Sequence, residues 1–159
     1  MEWRRTLESL FELHERFIQD LHALPPLVGT HVAVLPGWTT LQLVHHLAAW
    51  NWEAVRRLRA IHADTSLPDK KYDLDEFNAH ALTARVEMSW EKSLDEFSAS
   101  YQALRDLLNS HVHPDPPLDP RFQEWVVAIR KHLHDHLMDL RDALGDVSFG
   151  VEQGGDGDG

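Results

Sequence analysis

The 159-residue sequence predicts an all-α fold, a four-helix bundle, and three observations carry that expectation. Apolar residues recur at helical spacing through four long segments, each with its stripe on one side. No stretch alternates apolar and polar residues as a half-buried strand does. Proline, glycine and polar clusters punctuate the chain between the segments. One-sided stripes on several helices are buried most simply against one another in a bundle.

The first helix carries Trp3, Leu7, Leu10, Phe17, Leu21 and Leu24 on its stripe. Pro25-Pro26 ends it, because proline lacks an N–H and restricts the residue before it. Pro25 to Trp38 then reads as a connector closing on Pro36-Gly37. Thr39 or Thr40 suits the N-cap of a second helix reaching about Ala63. Its stripe is Leu43, Leu47, Trp50, Ala54, Leu58 and Ile61. Asp64 to Asp73 is a polar loop. A third helical region spans about Asp75 to Ser110, with Trp90, Leu94, Phe97, Tyr101, Leu104 and Leu108 as its strongest stripe. Ser89 offers a fresh N-cap, so a break near Met88 should leave a short extra helix before the third long one. The proline-rich run from His113 to Pro120 is a stiff breaker. The last helix, about Arg121 to Leu144, turns Phe122, Val126, Ile129, Leu133, Leu140 and Leu144 inward, and Gly145 suits its C-cap. Residues 1–145 should therefore form one bundle. Residues 146–159, rich in Gly and Asp, read as a flexible tail.

Charge and composition exclude several function classes. With 26 acidic against 15 basic side chains the formal charge is −11, which opposes binding to nucleic acid or to anionic membranes. The chain has no cysteine, and therefore no disulfide, zinc-thiolate site or cysteine nucleophile. The N-terminus lacks the apolar core of a signal peptide, and no apolar run approaches a membrane span. A cytoplasmic protein is expected. Twelve histidines make the charge conditional, since protonating all of them would bring −11 to +1.

Three of these histidines fall together in His132-Leu133-His134-Asp135-His136. At ~100° per residue, His132 and His136 lie about 40° apart on the helical wheel, while His134 points the opposite way. Two imidazoles side by side are a natural two-ligand unit for a divalent transition metal. The pair borders the arc of Ile129, Leu133 and Leu140, with Trp125 and Asp139 on the same flank. Asp139 is placed to orient a ligand histidine through its second nitrogen. The second helix offers a third ligand. His46 shares the side of Leu43, Trp50 and Ile61, whereas His45 lies round towards solvent. Three imidazoles from two helices leave a position open for water or substrate, unlike a closed structural zinc site. The competing reading is a solvated i,i+4 coincidence in a histidine-rich chain.

The remaining histidines read otherwise. His14 is expected as a hydrogen-bonded core residue rather than a fourth ligand, and His22, His31, His62, His111, His113 and His134 as surface residues. The phase of His80 is open. The carboxylates read as solvating charge on helix exteriors, and no serine has the strand-turn-helix context of a nucleophile elbow. The six tryptophans read mainly as core, with Trp50 and Trp125 able to line a pocket as well.

The run Pro36-Gly37-Trp38-Thr39-Thr40-Leu41-Gln42-Leu43-Val44-His45-His46-Leu47-Ala48-Ala49-Trp50 resembles the signature of the DinB-like superfamily, especially its DfsB/ClbS-like branch. In that signature a tryptophan opening helix two is followed eight residues later by histidine. His132-Leu133-His134-Asp135-His136-Leu137-Met138-Asp139-Leu140 is similar to the branch's His-x-x-x-His-x-x-Asp-Leu pattern, and Asp73 to Asn78 looks like its segment containing an Asn after helix two. The resemblance runs from about Glu2 to Leu144. It implies a DinB-like bundle with up-down-down-up connections and a divalent metal on His46, His132 and His136. Zn2+ or Ni2+ is favoured over Fe2+. It also implies thiol-dependent transferase chemistry or hydrolysis, and any thiol must come from a small-molecule cosubstrate because the chain has none. Two alternatives stay open, a non-catalytic protein that sequesters a small molecule and a metal-free hydrolase of the ClbS-like kind. No general base is assigned. Homodimerisation fits bundles of this type, although no stripe specifies an interface.

Overall fold

The structure is a computed structural model that describes residues 2–64, 66–114 and 117–145. The segment 146–159, expected to be a tail, lies outside the described residues. Among the described residues, six helices and one small strand pair follow in order: α1 (Glu2–Ala23), α2 (Pro26–His31), β1 (Ala33–Leu35), β2 (Trp38–Thr39), α3 (Thr40–Ala63), α4 (Leu74–Thr83), α5 (Trp90–Asn109) and α6 (Pro120–Leu144). No helix among the described residues is long and apolar enough to cross a membrane.

Side-chain caps fix where the helices begin. Thr39 and Gln42 form a reciprocal capping box at α3, in which Thr39 Oγ1 accepts from the Gln42 N–H and Gln42 Oε1 accepts from the Thr39 N–H. Asp73 caps α4, Ser89 caps α5, and Asp119 caps α6 with Pro120 in the first turn. The break expected near Met88 is therefore present, with α4 before it as the short extra helix. Gly145 occupies the C-cap of α6 in right-handed helical conformation, without using the left-handed freedom of its type.

The four long helices are α1, α3, α5 and α6, and α3 packs against α5 and α6 while α1 packs against α6 and α5. Contacts along the helices set the directions. Arg130 reaches Ser9 and Arg141 reaches Asp20, so α6 runs parallel to α1. His45 meets Ser93 and Asn51 meets Ser100, so α5 runs parallel to α3. The Trp3 indole donates to the His111 carbonyl near the end of α5, so α1 and α5 are antiparallel. The order is up-down-down-up. Leu7, Leu10, Phe17, Leu43, Leu58, Phe97, Leu104 and Phe122 sit at the centre, each at most 1% exposed.

Two features depart from the sequence expectation. The connector from Pro25 to Trp38 is not featureless. Pro26, with its fixed φ, starts the short helix α2, and β1 and β2 pair antiparallel around a turn in which Gly37 has φ of 82°. Strands of three and two residues are too short to show an alternating pattern. Leu137, left off the α6 stripe, is buried as well, since it lies one turn after Leu133 on the same helix face.

Gly29 of α2 lies against the Trp90 ring, where an added Cβ would fall 2.5 Å from the nearest ring carbons. Gly29→Ala should therefore cost about 1–3 kcal/mol through overpacking, read as a lower urea midpoint with unchanged slope. An unchanged midpoint would show that α2 is free to move off the bundle.

Candidate metal centre

The capping box sets the rotation of α3, and His46 then falls on the flank that faces α6, with buried Leu43 and Leu47 on either side in sequence. Trp38, just before the cap, lays its ring 4.8 Å from the His46 ring. On α6, burial of Leu133, Leu137 and Leu140 turns His132 and His136 towards the same place.

The three imidazoles meet edge to edge. His132 Nε2 lies 3.0 Å from His46 Nε2 and 3.0 Å from His136 Nε2, and one ligand nitrogen from each ring falls within 4.8 Å of the other two. Their outer nitrogens are used elsewhere. His46 Nδ1–H donates to Asn78 Oδ1 at 3.0 Å, and the Trp50 indole N–H donates to the same oxygen at 3.1 Å. His136 Nδ1–H donates to Asp139 Oδ2 at 3.2 Å. These contacts set the tautomers in which the Nε2 lone pairs of His46 and His136 turn inward.

Inward lone pairs repel one another unless something positive lies between them. Burial provides little positive charge from the rings themselves. It pushes His46 down to about 3, reinforced by the neighbouring His132 and His136 against the Asn78 hydrogen bond. His132 falls to about 4 through burial and then His136, and His136 is lowered by burial against the pull of Asp139. Three neutral imidazoles are the protonation state that ligates a metal. Nitrogens bound at about 2.0–2.1 Å and at right to tetrahedral angles stand about 3 Å apart, as His132 Nε2 does from His46 and His136, so the three histidines could hold a divalent transition ion.

A cavity of about 500 Å³ opens beside the triad, with His46 and His132 at its wall and His136 outside it. Trp50, Trp125, Tyr72, Ile129 and Leu133 make it mainly apolar, and Asn51, Asn78 and Glu124 add polar groups. Trp50 and Trp125 thus line a pocket, and Asp139 touches His136.

Several groups have roles that wheel arguments did not reveal. Asn78 joins α4 to His46 and Trp50, and spacing alone gave it no role. Glu53, expected among the solvating carboxylates, is 2% exposed and holds the following loop. It accepts from Tyr72 Oη at 2.5 Å and Lys70 Nζ at 3.2 Å, and pairs with Arg56. Burial alone would raise its carboxyl, but the hydrogen bonds from Tyr72, Arg56 and Lys70 prevail and hold it low. Lys70 and Tyr72 lie 17 and 19 residues along the chain, beyond the reach of helical periodicity.

Two histidines correct the surface assignments. His45 is 3% exposed and donates to Ser93 Oγ at 2.7 Å, because α3 is covered by α5 on one side and α6 on the other. His111 is also buried, since the turn after α5 folds against Trp3 and its Nδ1–H reaches the Leu107 carbonyl at 2.8 Å. His22, His31, His62, His80, His113 and His134 are exposed. His14 is a core residue, donating to the Leu10 carbonyl at 3.2 Å and stacked 4.5 Å from Tyr101.

A family model described as DinB superfamily matches residues 10–140. No curated protein and no solved structure gives a match.

The buried His14 generates a prediction about acid stability. Burial lowers it from 6.5 to about 4, against the hydrogen bonds to Leu10 and Asn51, and its stacked neighbour Tyr101 is raised to about 12 and stays neutral. Between those two pH values the unfolded chain takes up a proton that the native one refuses, so stability rises with pH there and falls on acidification. This one residue should account for about 3 kcal/mol lost from pH 7 to pH 4. Urea titrations across that range should show the loss, and a shallower slope in His14→Phe. An equal slope in the variant would contradict the assignment.

Proposed function

The chain belongs to the DinB superfamily, and from that premise we propose that it holds a divalent metal on His46, His132 and His136 and acts on a small molecule in the adjoining cavity. The observation that carries this reading is the inward convergence of three neutral imidazole nitrogens beside a cavity of about 500 Å³. Nitrogen donors favour Zn2+ or Ni2+ over the harder ions, with Fe2+ as a lesser candidate. Such a metal lowers the pKa of a thiol or water it binds and so supplies a nucleophile at neutral pH.

The residues of the chain divide the remaining work. Asn78 and Asp139 accept from the outer nitrogens of His46 and His136 and hold the rings in orientation. Trp38 packs on His46 and limits its rotation. Trp50 and Trp125 form apolar wall beside the triad, excluding water from the reacting groups. A reactive thiol comes from a cosubstrate, since the sequence contains no cysteine. The activity is accordingly a thiol S-transferase or a hydrolase.

One observation favours a non-catalytic binding protein as the second reading. Glu124, the carboxylate lining the cavity, stands eight residues before His132 on α6, about 12 Å along the axis, too far to take a proton from a group at the triad.

Metal analysis tests the first claim. Untagged protein loaded with zinc or nickel and mildly purified should retain about one equivalent, and less than about a tenth would sink the metal reading. His132→Ala with His136→Ala should abolish retention, while His134→Ala should leave it intact. Asn78→Ala should weaken affinity by about 10–100-fold, as expected when a ligand histidine loses its outer partner. A thiol-conjugation and hydrolysis screen on the loaded protein then separates enzyme from binder.

A further inference from the structure

We propose that the cavity beside the triad takes a ligand bearing an organic ammonium group, caged by Trp50, Tyr72 and Trp125 with Glu124 as its counter-charge. The proposal rests on the reading of this cavity as the ligand site and adds the class of ligand it selects.

The three rings enclose rather than stack. The Tyr72 centroid lies 5.3 Å from that of Trp50 at an interplanar angle of 63°, and 6.1 Å from that of Trp125 at 74°. All three line the same cavity. Tyr72 thus stands steeply to both indoles as one wall of a box, which is how aromatic cages surround an alkylammonium with ring faces and edges. Phe77, 4.1 Å from Trp50, backs one wall. Tyr72 is held by its hydroxyl, which donates to buried Glu53 at 2.5 Å, so the phenol has its polar end satisfied outside the cage.

Charge points the same way. Among the described residues neither lysine nor arginine lines the cavity and Glu124 is its acidic side chain, and the protein carries −11 overall. At the end of the cavity away from the triad, a ligand's carboxylate would find no cationic partner among the described lining side chains, whereas an ammonium finds ring quadrupoles and the Glu124 carboxylate. Tyr72 already takes one such cation from the chain. Lys70 Nζ stands 5.0 Å from its centroid, and Glu53 at 3.2 Å neutralises that lysine. Lys70 therefore adds little net repulsion to a second cation.

Choline, its uncharged isostere 3,3-dimethylbutan-1-ol and the anion 3,3-dimethylbutanoate test the proposal directly. Each is titrated into the full-length protein, with and without zinc, while the indole N–H resonances of Trp50 and Trp125 are followed by NMR. The expected order is choline first, at least about tenfold tighter than the alcohol, and the anion weakest. Glu124→Gln and Tyr72→Leu should each shrink the ratio of choline to alcohol affinity, and circular dichroism confirms that these variants are folded. Equal binding of choline and the alcohol, or shifts that miss both indoles, would overturn the cage. Zinc binding measured on the same samples separates the two claims. Retained zinc with no ammonium preference overturns the cage alone. An ammonium preference without zinc retention supports the cage and overturns the metal centre.

Discussion

Three imidazole nitrogens turned towards one point, in a place where their rings cannot readily become charged, are the constraint around which this bundle is arranged. Such a cluster is unfavourable by itself, because a single Nε2 proton on His132 serves only one of its two neighbours and the remaining lone pairs still face one another. Its neighbours are placed to make it tolerable. Asn78 brings α4 onto the flank of α3, Asp139 extends from the next turn of α6, and Trp38 comes from the end of the strand pair. Two of the segments between the long helices, the strand pair and α4, thus converge on the contact of α3 with α6.

The same contact explains the unusual burial of α3. A helix covered by α5 on one flank and α6 on the other must hide polar groups as well as apolar ones, and each needs a partner. His45 uses Ser93, Asn51 uses Ser100, and Glu53 uses Tyr72, Lys70 and Arg56. The Glu53 contacts also shape the cavity, since they anchor the loop that carries Tyr72 to its wall. Pairing of these buried α3 groups and the form of the cavity are therefore one problem.

The long helices were legible in the sequence because a stripe and a cap are local signals. Thr39 and Ser89 lie next to the runs they start, and the i,i+4 relation of His132 and His136 follows from helix geometry alone. The flank chosen for His46 was legible for the same reason. His45 and Glu53 were not, since one stripe was assigned to a helix that packs on two flanks. The hairpin of β1 and β2 was too short to leave an alternating pattern, and α2 begins on the proline that was read as a stop. Asn78 could be marked only through the family resemblance, because its partners are 32 and 28 residues away in the chain. Pairing across the fold, rather than periodicity along it, decided each of these positions.

X-ray absorption on zinc-loaded, untagged protein measures the central claim most directly, because it counts and identifies the atoms around the ion. The account predicts three imidazole nitrogens at about 2.0–2.1 Å with the outer-ring scattering of histidine, the remaining position filled by a lighter non-protein ligand. A shell fitted by one imidazole or none, or one dominated by carboxylate oxygens, would contradict it.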